Sequence, residues 1–124
     1  MAERKCAALM KAGATVTVVS PSLTKRLESA RDKGLITHKN RKYRTADIGS
    51  SFLVIAATGS ENTNGRVAKD ASALHRLVNV VDTPALCSFI VPSVVRRGLL
   101  TIAISTGGAS PAHAKAIRKD LEKR

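Results

Sequence analysis

Tryptophan is absent from the 124 residues, tyrosine occurs once and phenylalanine twice. So few rings exclude a core built on aromatic packing and leave almost no platforms on which nucleic-acid bases could stack. Carboxylates are scarce too: nine Asp and Glu stand against 21 Lys and Arg, a net charge of +12. That imbalance implies an acidic partner, whether nucleic acid, an anionic membrane surface or a small polyanion. Only two cysteines are present. Cys6 and Cys87 are far apart without metal-ligand spacing, which excludes a disulfide scaffold and fits reduced thiols in a cytoplasmic protein. No apolar run approaches the ~20 residues of a membrane span. The start, Met1-Ala2-Glu3-Arg4-Lys5, lacks the apolar middle of a signal peptide.

What is present is β-branched and aliphatic, enough for one domain built from Val, Ile, Leu and Ala. Ala2 to Ala12 reads as a helix with an apolar stripe at Cys6, Leu9 and Met10, closed by Gly13. Thr15 to Val19 must be a strand. Ser22 is placed to cap a helix from Leu23 to about Asp32. Leu35 to His38 reads as a short strand, and the basic run Lys39 to Arg44, around the only Tyr, as a solvated loop. Phe52 to Ala57 is a buried strand. A helix from about Glu61 to His75 follows, with Val67, Ala68, Ala71 and Leu74 on one side, then a strand from Leu77 to Val81. Such alternation means parallel strands joined by crossover helices: an α/β, doubly wound, mainly parallel sheet. From Phe89 to Ile104 no crossover helix fits, and a β-hairpin turning near Arg97-Gly98 is expected. Ser110 and Pro111 then open a last helix running to about Lys123.

The stretch Leu77-Val78-Asn79-Val80-Val81-Asp82-Thr83-Pro84 places an ionisable residue at a strand's carboxyl end. Ligands bind there in open α/β sheets, so Asp82 is a site candidate; the bland reading is that it starts the turn before Pro84. Ser20 stands where a dinucleotide fold usually places an acidic ribose ligand. The glycine-bearing loop Ser105 to Ser110 precedes a helix and could attract an anion. His38, His75 and His113 form no constellation and read as solvated or locally bonded. Neither Ser105 nor Cys87 carries a nucleophile motif.

Taken together, seven segments resemble one family. They are Ala2-Glu3-Arg4-Lys5, Ala12-Gly13-Ala14, Val18-Val19-Ser20-Pro21, Val54-Ile55-Ala56-Ala57-Thr58, Asn79-Val80-Val81-Asp82, Phe89-Ile90-Val91-Pro92-Ser93 and Ile104 to Pro111. In this order they are similar to the siroheme-synthase dehydrogenase family, whose N-terminal domain is an NAD-dependent precorrin-2 dehydrogenase, in some members combined with ferrochelatase activity. The resemblance implies a Rossmann-like fold over residues 1–124, with 89–124 leading to a dimerisation region. It gives Asp82 the family's functional aspartate, proposed for both oxidation and metal insertion. It places Ser20, Pro21 and Ser22 at the adenosine end of NAD and Thr58 beside the cofactor. Asn79, Thr106, Gly107 and Gly108 fall on the tetrapyrrole side, with Arg96, Arg97, Lys115 and Arg118 as contacts for the carboxylates of precorrin-2. The implied partners are precorrin-2, its product sirohydrochlorin and ferrous iron as a substrate. The full-length form would be a homodimer using neither membrane nor nucleic acid.

The departures from the family carry their own expectations. Its members begin with a strand and a Gly-Gly-Gly loop just before the Ala-Glu-Arg-Lys helix, whereas Met1 stands here at that loop's end. In sheet order 3-2-1-4-5 that strand is the central one, so the Val16 and Leu53 strands should each show an unpaired edge. Gly59 and Thr83 stand where further acidic residues are frequent in the family. The chain therefore reads as a fragment, or as a protein with a misplaced start. Two other readings are a non-catalytic tetrapyrrole or metal carrier and a basic nucleic-acid-binding module.

Overall fold

The computed structural model describes all 124 residues, Met1 to Arg124. In chain order the elements are α1 (Ala2–Lys11), β1 (Val16–Ser20), α2 (Lys25–Asp32), β2 (Ile36–Asn40), β3 (Leu53–Ala56), α3 (Glu61–Ala73), β4 (Leu77–Val80), β5 (Ser93–Arg97), β6 (Leu100–Ile104) and α4 (Pro111–Glu122). Single 3-10 turns lie at Thr45–Asp47 and Pro84–Leu86, where the sequence predicts none.

The strands form three separate pairs. β1 and β2 run parallel, with Val16 opposite Ile36 and Ser20 opposite Asn40. β3 and β4 run parallel, with Leu53 opposite Leu77 and Ala56 opposite Val80. The hairpin is antiparallel, Ser93 facing Ile104 and Arg97 facing Leu100. The doubly wound sheet is thus interrupted between β1 and β3, which bond to no common strand, as the sequence analysis expects.

Each parallel pair has its own core. Cys6, Val16, Leu27, Ala30 and Ile36 are buried where α1 and α2 meet the first, with Leu9 and Met10 packed beside them. Ile48, Ala56, Val67, Ala68, Ala71, Val78 and Val80 are buried between α3 and the second. On the hairpin, Val95 and Ala114 are buried where α4 crosses it. The three units leave much surface open. A compact monomer of 13.1 kDa exposes roughly 6400 Å², whereas this chain exposes 8648 Å².

Chain ends of helices follow one rule with one exception. After α1, Gly13 adopts φ 83° while Ala14 N–H reaches the Leu9 carbonyl. After α2, Gly34 adopts φ 74° and Leu35 N–H bonds the Ala30 carbonyl. After α3 the same left-handed position falls on His75, φ 55°, with Arg76 N–H on Ala71. α3 therefore stops at Ala73 instead of His75, and Leu74, expected on the packed side, is exposed. α2 also starts later than predicted. Its cap is Thr24, whose hydroxyl accepts from Leu27 N–H, while Leu23 packs on the first core.

The basic run is exposed at Lys39, Asn40, Lys42 and Arg44, as expected of a solvated segment, but is anchored at Arg41 and Tyr43. Arg41 forms a bidentate pair with Asp47, whose side chain is only 4% exposed, and Lys39 lies 3.6 Å from the same carboxylate. The Arg41 contacts, with a bond from Arg44 N–H, hold the Asp47 carboxyl far below the usual range. Tyr43 donates to Asp70 at 2.7 Å, with Arg66 5.4 Å over its ring. Partial burial and then the Asp70 bond push the phenol well above its ordinary pKa.

Candidate dinucleotide and tetrapyrrole site

An open cleft of about 1280 Å³ runs between the two parallel pairs. All five residues of β1 line one side, and Leu53, Ile55, Ala57 and Thr58 line the other. Ser20, Pro21 and Ser22 from the end of β1 share this one space with Thr58 and Ser60 from the turn between β3 and α3 and with Thr63 from the first turn of α3. Lys42 and Arg66 add positive charge to it. The first turn of α1 opens on the same cleft without a side-chain cap, leaving peptide N–H groups free for an anion.

Both turns, Ser20 to Ser22 and Thr58 to Ser60, are held by neighbouring side chains that the local sequence did not single out. His38 Nε2 lies 2.8 Å from the Ser20 carbonyl and 3.2 Å from the Ser20 hydroxyl. The Ser20 hydroxyl donates to the Ser22 carbonyl at 2.6 Å. Across the cleft, Asn64, 8% exposed, accepts from the Thr58 hydroxyl at 2.6 Å and from Thr58 N–H at 3.2 Å, and donates to the Thr58 carbonyl at 3.1 Å. Asn64 had a visible signal: it lies in phase with Val67, Ala68 and Ala71 on the buried face of α3. His38 had none, because only the strand register brings it beside Ser20.

Asp82 occupies the end of β4. The register sets Ala56 opposite Val80, and beyond that pair the chain turns at once, Thr83 N–H bonding the Val80 carbonyl at 3.2 Å. The Thr58 and Asp82 turns therefore both leave the carboxyl end of this one strand pair. Asp82 has φ 59°, a left-handed conformation uncommon outside glycine, and its exposed carboxylate forms no hydrogen bond or ion pair within the chain. Cys87 shapes this turn, its sulfur accepting from Val80 N–H at 3.1 Å.

The other predicted contacts divide. Gly108 sits against Pro84 and Ile90, which brings the Thr106-Gly107-Gly108 loop beside the Asp82 turn. The Thr106 hydroxyl accepts from Ser110 N–H at 2.8 Å and so fixes that loop. Asn79 is buried, its side-chain amide donating to the Phe89 carbonyl at 3.1 Å. With the Ser88 hydroxyl bonded to Val78 N–H, it laces residues 87–89 along the outer edge of β4. Arg97 is held at the end of α4, 2.6 Å from the Glu122 carbonyl, and Arg118 pairs with Glu122 at 2.8 Å. Arg96 points to the opposite face of the hairpin from Val95 and Arg97, exposed, and Lys115 is exposed on α4. No group of three or more His, Cys, Asp or Glu is assembled as a metal site. No helix is long and apolar enough to cross a membrane.

Comparison with known proteins places the chain in a family. Residues 1–93 match the family model described as "Putative NAD(P)-binding", and residues 97–124 match "Sirohaem biosynthesis protein central". The siroheme synthase of Methylobacillus flagellatus is 44% identical over 122 residues, covering 98% of this chain and 26% of that protein. The siroheme synthase of Nitrosococcus oceani is also 44% identical, with the same coverage. Among solved structures, SirC, a precorrin-2 dehydrogenase, superimposes with TM-score 0.86 at 30% identity, covering 98% of this chain and 60% of SirC. The chain thus spans about a quarter of the length of the siroheme synthases it matches. With three quarters of its residues inside the first family model, this chain belongs to the NAD(P)-binding domain family of the siroheme synthases.

Proposed function

We propose that this chain provides the cofactor cleft and the catalytic aspartate of a precorrin-2 dehydrogenase, converting precorrin-2 to sirohydrochlorin with NAD in siroheme biosynthesis. The observation that carries this reading is that Ser20 to Ser22 and Thr58, at the carboxyl ends of β1 and β3, line one cleft, with Asp82 in the turn that ends β4, the strand paired to β3. The cleft fits a dinucleotide in chemistry as well as size: hydroxyls and peptide N–H groups line it, with Lys42 and Arg66 to meet phosphate charge.

Bound NAD would supply the hydride acceptor. Ser20, Pro21 and Ser22 would receive the adenosine ribose, Thr58 would lie beside the dinucleotide, and the open start of α1 would face the pyrophosphate. Asp82, free of partners, would take the proton released as the tetrapyrrole loses a hydride. Thr106, Gly107 and Gly108 would line the tetrapyrrole side, with Asn79 holding segment 87–89 beside it. Arg96, Lys115, Arg97 and Arg118 would face the substrate carboxylates, the last two after exchanging their Glu122 and carbonyl contacts for the ligand. The charge of +12 supports a polycarboxylate, since a basic surface speeds its capture. Ferrous iron would enter as a substrate with Asp82 as a single ligand. Exposed Leu99 and Leu100 at the hairpin tip, with Ile117 on α4, support a homodimer in the longer protein. The two free cysteines suit a reducing cytoplasm.

Titration of the chain with NADH, followed by anaerobic turnover of precorrin-2, tests the reading. Saturable binding is expected, with turnover reduced at least about a hundredfold in Asp82→Ala while NADH binding persists. Absence of saturable binding refutes the proposal.

A further inference from the structure

We propose that His38 is a positioning residue that makes the Ser20 hydroxyl a hydrogen-bond acceptor, so that the cleft selects a dinucleotide with a free ribose 2′-hydroxyl over one bearing a 2′-phosphate. The inference rests on the dinucleotide reading above and assigns its specificity to a network of three residues.

Dinucleotide folds usually read the ribose with a carboxylate, which only accepts. A serine hydroxyl both donates and accepts, and alone it would not discriminate between hydroxyl and phosphate. Here its choice is removed. The Ser22 carbonyl 2.6 Å away has no proton to give, so the Ser20 hydroxyl donates its own there. The Ser20 carbonyl, 2.8 Å from His38 Nε2, also has none, so the ring proton sits on Nε2. That N–H leans on the Ser20 hydroxyl oxygen at 3.2 Å as well. Both neighbours therefore hold the hydroxyl proton away from the cleft and leave a lone pair for the ligand. A ribose 2′-hydroxyl can donate to it. A 2′-phosphate dianion has no proton to offer and meets a lone pair with its own. Lys42 and Arg66 line the same cleft and would attract a 2′-phosphate as well as the pyrophosphate, so the selection rests on the Ser20 lone pair alone.

The geometry also ties the turn to the register. His38 lies on β2 opposite Val18 and reaches forward along the pair to Ser20. It satisfies the last carbonyl of β1 immediately before Pro21, a residue without an N–H of its own.

The test is a paired titration with NADH and NADPH of the wild type, His38→Leu, His38→Gln and Ser20→Ala, each checked by thermal unfolding. NADH is expected to bind the wild type at least about tenfold more tightly than NADPH. His38→Leu and Ser20→Ala should weaken NADH several-fold and bring the ratio near one. His38→Gln, whose amide nitrogen can stand in for Nε2, should restore most of the ratio. A wild-type ratio near one, or an unchanged ratio in His38→Leu, overturns the proposal. Equal losses for both dinucleotides with a lower unfolding midpoint would reduce His38 to a structural role and also overturn it. If neither dinucleotide binds the wild type, the dinucleotide reading itself fails, an outcome distinct from these.

Discussion

Two side chains other than glycine take left-handed backbone in this protein, Asp82 and His75, and comparing them separates strain kept for function from strain that is merely tolerated. A left-handed residue costs roughly 1–2 kcal/mol, less for Asp, whereas glycine adopts the conformation freely but loses ~0.5–1 kcal/mol of chain entropy on folding. Asp82→Gly should therefore leave stability unchanged or raise it by a few tenths of a kcal/mol. Asp82→Ala keeps the strain and loses the short polar side chain, costing about 1 kcal/mol. The gap between the two variants, about 1 kcal/mol, corresponds to roughly 4 °C in the unfolding midpoint for a chain of this size. His75→Gly completes the comparison. It turns the end of α3 into the arrangement already present at Gly13 and Gly34, and should stabilise by up to about 1 kcal/mol. Circular dichroism on heating reads all three midpoints. Turnover should fall at least about a hundredfold in both Asp82 variants and remain intact in His75→Gly. Equal midpoints for Asp82→Gly and Asp82→Ala would remove the strain from the argument. Turnover retained in Asp82→Gly would remove the carboxylate from the chemistry.

Three further outcomes follow from contacts elsewhere. Asp47→Asn breaks the bidentate pair with Arg41 and should cost about 2 kcal/mol in urea unfolding. Because the Asp47 pKa is depressed on folding, its contribution is complete above the unfolded value near 4 and fades as pH falls toward the lower folded value, so Asp47→Asn should flatten the acid limb of stability against pH. Asn64→Leu removes three hydrogen bonds around Thr58 and should weaken NADH at least several-fold, whereas Asn64→Ser should recover part of it; equal NADH affinity in all three would detach Asn64 from the cofactor turn. Arg96→Ala should raise the Michaelis constant for the tetrapyrrole and flatten its salt dependence. Arg97→Ala should mainly loosen the end of α4, seen as a lower midpoint; the reverse pattern would show that Arg97 leaves α4 to meet substrate.

The elements were legible because each is specified locally. Glycine at positions 13 and 34, the β-branched Val16 to Val19 and the Ser110-Pro111 start of α4 each satisfy one rule within a few residues. Errors occurred where two local rules competed. Ser22 and Thr24 are both good caps, and the choice fell to Thr24 because the Ser22 carbonyl is already bound by Ser20 and Leu23 is drawn into the core. Leu74 continued the stripe of α3, but the left-handed His75 ended the helix one residue before it. Asp82 could be found from its place after a strand, yet its unusual φ could not, since nothing in Val81-Asp82-Thr83 demands it.

The contacts that hold the site were illegible for a different reason. His38 with Ser20, Tyr43 with Asp70 and Asn79 with Phe89 join residues 18, 27 and 10 positions apart. None has a periodicity, and each exists only once strand register or helix docking has been set. The same distinction explains the cleft. β1 and β3 are well-formed strands whose inner edges share no hydrogen bonds, so the pairing of each is determined on its outer side alone, by β2 and by β4. Phe52, 80% exposed at the mouth of the cleft, would be costly to leave in water if the two pairs could close on each other. They stay apart because no strand bonds to the inner edge of either β1 or β3, and each pair is packed on its own helices. The proposed cofactor site consequently depends on two turns, Ser20 to Ser22 and Thr58 to Ser60, each held within its own unit by one polar side chain. Replacing either His38 or Asn64 should therefore loosen one turn and leave the other intact, and the Asp82 turn, held by Cys87, should respond to neither.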